Sequence, residues 1–179
     1  MFDRVIPDTC RQLSCVECSV DTAMYWNLQW HSRLPITNKG NMLRNRHSIF
    51  FSAVYELGFF AVAMWTTPVA ANRMTSGFEM LELRRLAVAP DAPRYTPTWM
   101  LGKMVKHIKK VKPEIIKLVS YQDVDVHTGT IYKAANWILE ASTDYMPWST
   151  EERQRKSIVQ SKAAKNRWIY NLQTAKELI

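Results

Sequence analysis

Apolar and polar positions change period several times along the chain, and each change predicts an element. Ser19 is a helix-capping residue type, and after it Ala23, Trp26 or Asn27, and Trp30 recur at helical spacing. That predicts a helix over Val20 to Ser32, ended by Pro35. Residues 36–47 are polar and basic and read as a loop. Ser48–Tyr55 and Phe59–Thr67 are rich in Ile, Phe, Val and Tyr, and Glu56-Leu57-Gly58 between them gives a β-hairpin signal closed by Pro68. After a loop through Asn72 and Ser76-Gly77, EMLELRRLAV at 79–88 alternates as a strand does, with Leu81, Leu83 and Leu86 as its apolar side.

Pro90, Pro93 and Pro97 punctuate the next connection. Thr96 as cap with Pro97 at the first helical position predicts a helix to Val111. Its stripe is Trp99, Met100, Met104, Ile108 and Val111; Lys103, Lys106, Lys109 and Lys110 lie mostly off it, as a solvated face or a phosphate contact. Ile115–Tyr121 reads as a buried strand, Gln122 to Asp125 as a turn, Gly129–Asn136 as a helix and Trp137–Ala141 as a strand. Ser149-Thr150-Glu151-Glu152 has the capping-box pattern and would open a basic helix to Ala164, before a last strand Arg167–Leu172. Strands alternating with helices in the second half predict an α/β (α+β) chain with a mixed central sheet. The expected organisation is an irregular arm over 1–18 and a single domain over 19–179.

Composition narrows the classes. Hydrophobic residues at 47% and charged residues at 22% are ordinary for a globular protein. No apolar run reaches the ~18 residues of a membrane span, and residues 1–20 lack a signal-peptide pattern, so the expectation is a cytoplasmic protein without a membrane partner. A net charge of +8 favours a polyanionic partner, either nucleic acid or a phosphate-bearing cofactor. Seven tryptophans serve either core packing or stacking on a ligand. Cys10, Cys15 and Cys18 are odd in number and follow no export signal, which argues against a disulfide framework. Their C-x4-C-x2-C spacing, with His31 beyond, resembles part of a metal or iron–sulfur site; free thiols on an irregular arm are the alternative.

Residues 83–90, LRRLAVAP, resemble the central L-x-R-L-x-V-x-P strand of the GNAT superfamily. Residues 131–137, IYKAANW, resemble its L-Y-x-x-x-G-F helix and strand, with Asn136 for Gly and Trp137 for Phe. Within that superfamily the chain is similar to the phage Mom group through WHSRLP at 30–35, LELRRLAV at 81–88, SYQDVDVHTGTIYKAANW at 120–137 and KNRWIY at 165–170. The resemblance implies a GNAT-like mixed sheet with an N-terminal β-hairpin and helices on both faces. Two departures stand out. GNAT enzymes hold the coenzyme A pyrophosphate on a Gly-rich turn at a helix N-terminus, where backbone N–H groups approach closely. Here the turn reads Arg94-Tyr95-Thr96-Pro97-Thr98-Trp99, without Gly and with one donor removed by Pro97. Mom-like proteins are degenerate at the same place. The second departure is Trp30-His31-Ser32, where some relatives have His-Tyr-Ser.

The Mom resemblance implies transfer of a carbamoylmethyl group to adenine N6 in double-stranded DNA, an anti-restriction role for a phage, and the host cytoplasm as its place. Such a reaction needs a flipped base, a basic groove and aromatic faces. Asp123, at the end of a predicted parallel strand, is a proton acceptor or a turn cap. Tyr132 corresponds to the GNAT tyrosine that protonates a leaving thiolate, or it packs on the sheet. Ser120 and Tyr121 face opposite ways, so one of them lines the site. Arg84 and Arg85 are expected on opposite faces, with Arg85 the candidate for the cleft. His127 is a base, a metal ligand or a solvated loop residue; His31 could join it on iron or zinc. The resemblance assigns Leu86, Val88, Arg94, Thr98 and Asn136 to a cofactor, and leaves the donor open between acetyl-CoA and another acyl donor. DNA phosphates would meet Arg44, Arg46, Arg153, Arg155, Lys156, Lys162, Lys165 and Arg167, unless these form a plain basic surface. Two other functions compete: an acetyl-CoA-dependent N-acetyltransferase on a small amine or protein, and a non-catalytic nucleic-acid-binding module. Nothing in the sequence indicates an oligomeric state.

Overall fold

The computed structural model describes residues 4–31, 38–43, 47–68, 79–144 and 164–173. Seven strands form one sheet: β1 Ser14–Glu17, β2 Ile49–Tyr55, β3 Gly58–Thr66, β4 Met80–Val88, β5 Lys117–Asp123, β6 Ile138–Thr143 and β7 Lys165–Asn171. Their order is β1-β2-β3-β4-β5-β7-β6. Among the described strands only the β4–β5 pair is parallel. It is bridged by α3, Thr96–Val111, as a parallel pair requires a crossover. The remaining helices among the described residues are α1 Val20–Trp30, α2 Lys39–Leu43 and α4 Thr130–Ala134.

Alternation along the strands sorts side chains onto two faces. The back face carries Phe51, Ala63, Trp65, Leu81, Leu83 and Leu118, packed with Met100, Leu101, Met104 and Ile108 of α3. Phe51, Trp65 and Met104 are fully buried, and each such side chain contributes about 1.5–3 kcal/mol of transfer free energy. The front face is covered at one end by α1 and α2, where Val20, Ala23 and Met42 cluster with Phe50 and Met64. Ser19 caps α1 through its side chain, which accepts from the Thr22 N–H at 3.0 Å.

Several expectations change. The arm is not irregular: β1 pairs with β2, and Cys10–Gln12 forms a 3-10 turn before it. A short helix, α2, interrupts the expected loop over 36–47. Tyr95, in left-handed backbone at φ 69°, caps α3 in place of Thr96, whose hydroxyl donates to the Pro93 carbonyl. On α3, Val111 is exposed, whereas Leu101 and Val105 join the buried stripe. β5 runs on to Asp123, beyond the expected end at Tyr121. The expected basic helix over 149–164 falls almost wholly outside the described residues, as does most of the loop before β4.

Candidate active site

The central feature is a bulge. On β4, Leu83 pairs with Trp65 and Arg85 with Met64, so Arg84 has no partner on β3. A bulge resets alternation and bends its strand. It therefore overturns the expectation that Arg84 and Arg85 face opposite ways. Arg85 shares Met64's side, the front, with Glu82. Arg84 turns there as well, its Nε 3.3 Å from the Glu82 carboxylate. Beside the bulge, the β4–β5 pairing stops at Leu83↔Ser120, although both strands continue. The strands part there and leave a wedge.

Register places the predicted residues around this wedge on two sides. Cross-strand pairs put Tyr121 beside Arg167 and Asp123 beside Lys165. These four share the front face with Arg85 and Glu82. Ser120 faces the back, where its hydroxyl lies 2.8 Å from the Tyr132 hydroxyl at the apex of the wedge. Tyr132 is buried, stacked on Trp168 at 5.5 Å, and burial pushes its phenol above the ordinary range although the Ser120 bond opposes this. The carboxylate and the arginine thus share the front face, while the phenol reaches the apex from the back.

Asp123 closes the turn after β5, its Oδ1 accepting from the Asp125 N–H at 3.1 Å. His127 in that turn is exposed. Two residues that sequence reasoning passed over hold the turn in place. Gln122 donates to the His127 carbonyl and accepts from the Trp168 indole at 2.7 Å. Gly129 adopts φ +74°, and a Cβ there would meet Gln122 Oε1 at 2.6 Å and Trp168 at 2.8 Å. A Gln or a Gly beside a motif signals no role until its neighbours are known.

The front face holds unsatisfied polar atoms. Both amide atoms of Asn27, Nδ1 of His31 and Nε of Arg85 are buried without a hydrogen-bond partner. Asn27 and His31 stand one turn apart on α1, joined by the His31 N–H to Asn27 carbonyl bond at 2.9 Å. Burial lowers the His31 pKa, and the charges of Arg85 and His127 act in the same direction. Burial and the neighbouring Arg84 lower that of Arg85, which Glu82 offsets; a guanidinium nonetheless stays protonated. The sequence signal for Asn27 was visible as an amide on the apolar stripe of α1.

The cofactor candidates divide. Leu86 and Val88 pack half-buried against the back-face core along the open edge of β4. Arg94 is exposed, its guanidinium over the Tyr95 ring at 4.8 Å, and both line a surface depression of about 380 Å³ with Arg11 and Asp8. Asn136 is exposed in left-handed backbone at φ 61°. The start of α3 does not suit a pyrophosphate: the Thr96 N–H is bonded to Pro93 at 3.2 Å and Pro97 has none, leaving Thr98. Among the described residues no group of three or more His, Cys, Asp and Glu could hold a metal, so the metal expectation for His31 and His127 gains no support. The cysteines are free. Burial pushes Cys15 up to about 12 and Cys18 to about 11, which keeps both as thiols.

Of the DNA-contact candidates, Lys165 and Arg167 are described, and Arg167 is tied to Glu140 at 2.5 Å. Arg44, Arg46, Arg153, Arg155, Lys156 and Lys162 lie outside the described residues. Of the tryptophans, Trp65, Trp137 and Trp168 are core, whereas Trp26 and Trp30 are half-buried and stack on each other at 4.6 Å.

Comparison with solved structures finds the same architecture. The ribosomal-protein-S18-alanine N-acetyltransferase from Escherichia coli aligns over 93% of this chain and 98% of its own, with a TM-score of 0.65 at 12% identity. Spermidine N-acetyltransferase from Vibrio cholerae, solved with CoA and spermine, aligns over 90% and 96% with a TM-score of 0.63 at 8% identity. A Bacillus subtilis acetyltransferase in complex with CoA aligns over 90% and 99% with a TM-score of 0.61 at 11% identity. The wedge, the bulged central strand and the helices on both faces therefore define a GNAT-type fold. Residues 42–177 match the model of the Mom protein family, and the chain belongs to that family. A search of curated proteins finds no relative. No described helix is long and apolar enough to cross a membrane.

Proposed function

We propose that this protein is a group transferase that modifies adenine in double-stranded DNA, placing a carbamoylmethyl group on N6. The observation that carries this reading is the set of buried, unsatisfied polar atoms, both amide atoms of Asn27, His31 Nδ1 and Arg85 Nε, on the face that also bears Asp123, in a chain of the Mom family; the Arg85 guanidinium keeps one bond, to the Arg84 carbonyl at 2.6 Å. Unpaired buried polar atoms cost about 1–3 kcal/mol each, so a fold that keeps several together has a use for them. A bound polar ring would supply their partners.

The chemistry suits the groups. Adenine N6 is a weak nucleophile because its lone pair is delocalised into the ring. As the N6–C bond forms, the donor's leaving group departs with its electron pair and an N6 proton must go to a base. The Asp123 carboxylate is the candidate acceptor, with Tyr121 beside it. Arg85 stabilises negative charge developing on the transferred group or its leaving group. Tyr132 and Ser120 act from the other side of the wedge, as proton relay or as support. Lys165, opposite Asp123, adds positive charge for a phosphate. The donor-poor start of α3 weighs against an ordinary acetyl-CoA reaction.

The test is mass spectrometry of nucleosides from DNA of cells expressing the chain. A modified adenosine that disappears with Asp123→Ala is the expected result. Unmodified adenine alongside folded protein would end the reading.

A further inference from the structure

Asn27 is wholly buried, yet neither its carbonyl nor its amino group has a hydrogen-bond partner. Its place is fixed by its neighbours. One turn earlier on α1, Ala23 packs into the cluster that contains Met64. Met64 is the cross-strand partner of Arg85. One turn later, His31 senses the Arg85 charge. Asn27 therefore lies on the sheet-facing side of α1, over the front near Met64 and the bulge, on the same face as two more unsatisfied atoms, His31 Nδ1 and Arg85 Nε.

Protein interiors avoid this arrangement, because a Leu at the same position would pack without leaving a donor and an acceptor unmet. A carboxamide is complementary to one edge of adenine: its amino group donates to ring N1 while its carbonyl accepts one N6–H. We infer that Asn27 is the residue that reads the Watson–Crick edge of the extruded adenine, a specificity role that rests on the adenine reading above. Held this way, one N6 hydrogen is fixed by Asn27 and the other is left for removal by a base. Arg85 and His31 then flank the same ring or the group arriving at N6.

The experiment uses the full chain in three arms. The first establishes whether the wild-type chain forms the adenine adduct in cellular DNA; if no adduct forms, the function and this inference both fall. In the second, Asn27→Leu is expected to lower adduct formation at least about tenfold, as losing a bidentate base contact does, while its melting temperature stays level or rises. Adduct formation at the wild-type level, or a loss that merely follows unfolding, overturns the role of Asn27 and leaves the function standing. The third arm changes the substrate. A duplex that the wild-type chain modifies is made with 1-deazaadenine, which lacks the N1 acceptor, at the target position opposite an abasic site. Wild-type protein should bind it about tenfold more weakly than the adenine duplex by fluorescence anisotropy, and Asn27→Leu should bind both alike. Equal wild-type affinities overturn the inference.

Discussion

The two faces of the sheet treat their polar groups in opposite ways. On the back, Ser120 meets Tyr132, and Gln122 joins Trp168 to the turn carrying His127. Trp137 Nε1 is the exception on that side, buried without a partner among stacked rings. On the front, Asn27, His31 and Arg85 leave donors and acceptors unmet. A satisfied buried network specifies and rigidifies a fold, whereas an unsatisfied one marks a place kept for something else. Motif reasoning ranked Tyr132 and Ser120 beside Asp123; hydrogen-bond accounting puts the two sets in different roles.

The largest effect is expected at Gly129, which anchors the back-face network. Gly129→Ala combines left-handed backbone with a 2.6 Å clash against Gln122. It should destabilise by about 2–4 kcal/mol in urea denaturation, from strain plus overpacking. A smaller loss than 1 kcal/mol would mean that the turn is loosely held and the contrast overstated. Arg85→Met breaks the front face instead. Adenine adduct formation should fall about a hundredfold, while stability holds within about 1 kcal/mol, because a partly unpaired buried cation gives way to an apolar chain. Loss of folding with loss of activity would erase the distinction between the faces.

The Ser120–Tyr132 pair sharpens the comparison through a double-mutant cycle. Ser120→Ala and Tyr132→Phe should each cost about 1–2 kcal/mol, and the double variant less than their sum, since each single change strands the other hydroxyl. Strict additivity would show that the two hydroxyls do not depend on each other. The smallest effect concerns pH. His31 has its folded pKa lowered below the ordinary 6.5, so the unfolded chain binds the proton more readily. Its contribution is fully present above 6.5 and is lost as pH falls from there through the lower folded value. Urea denaturation at stepped pH should show stability falling over that window, and His31→Gln should flatten the fall. An unchanged pH profile in the variant would place His31 in solvent.

Much of the architecture was open to reading from local pattern. Strand alternation found β2, β3 and β4; Pro and Gly found most of their limits; a capping Ser opened α1 where expected. The N-terminal strand escaped because SCVE is too short and too exposed to alternate. The short α2 escaped because polar residues mask a single turn and a half. At the site, Asp123, Tyr121 and Arg85 were named from motif positions and do share a face. The opposed placement of Arg84 and Arg85 failed because a bulge depends on the partner strand's register, which neither strand's own sequence states.

By itself, the sequence determined most of the strands and helices, the general polarity of their faces and the resemblance to a family, because periodicity, caps and breakers act between neighbours in the chain. Only the tertiary structure decided that β7 lies between β5 and β6, that the β4–β5 pairing ends at Leu83, that Tyr132 is sealed against Ser120 and that Asn27 is left without a partner. Those outcomes depend on desolvation and hydrogen bonding between residues far apart in the chain. Whether a polar group is satisfied is a property of its surroundings in space, and no residue type carries it.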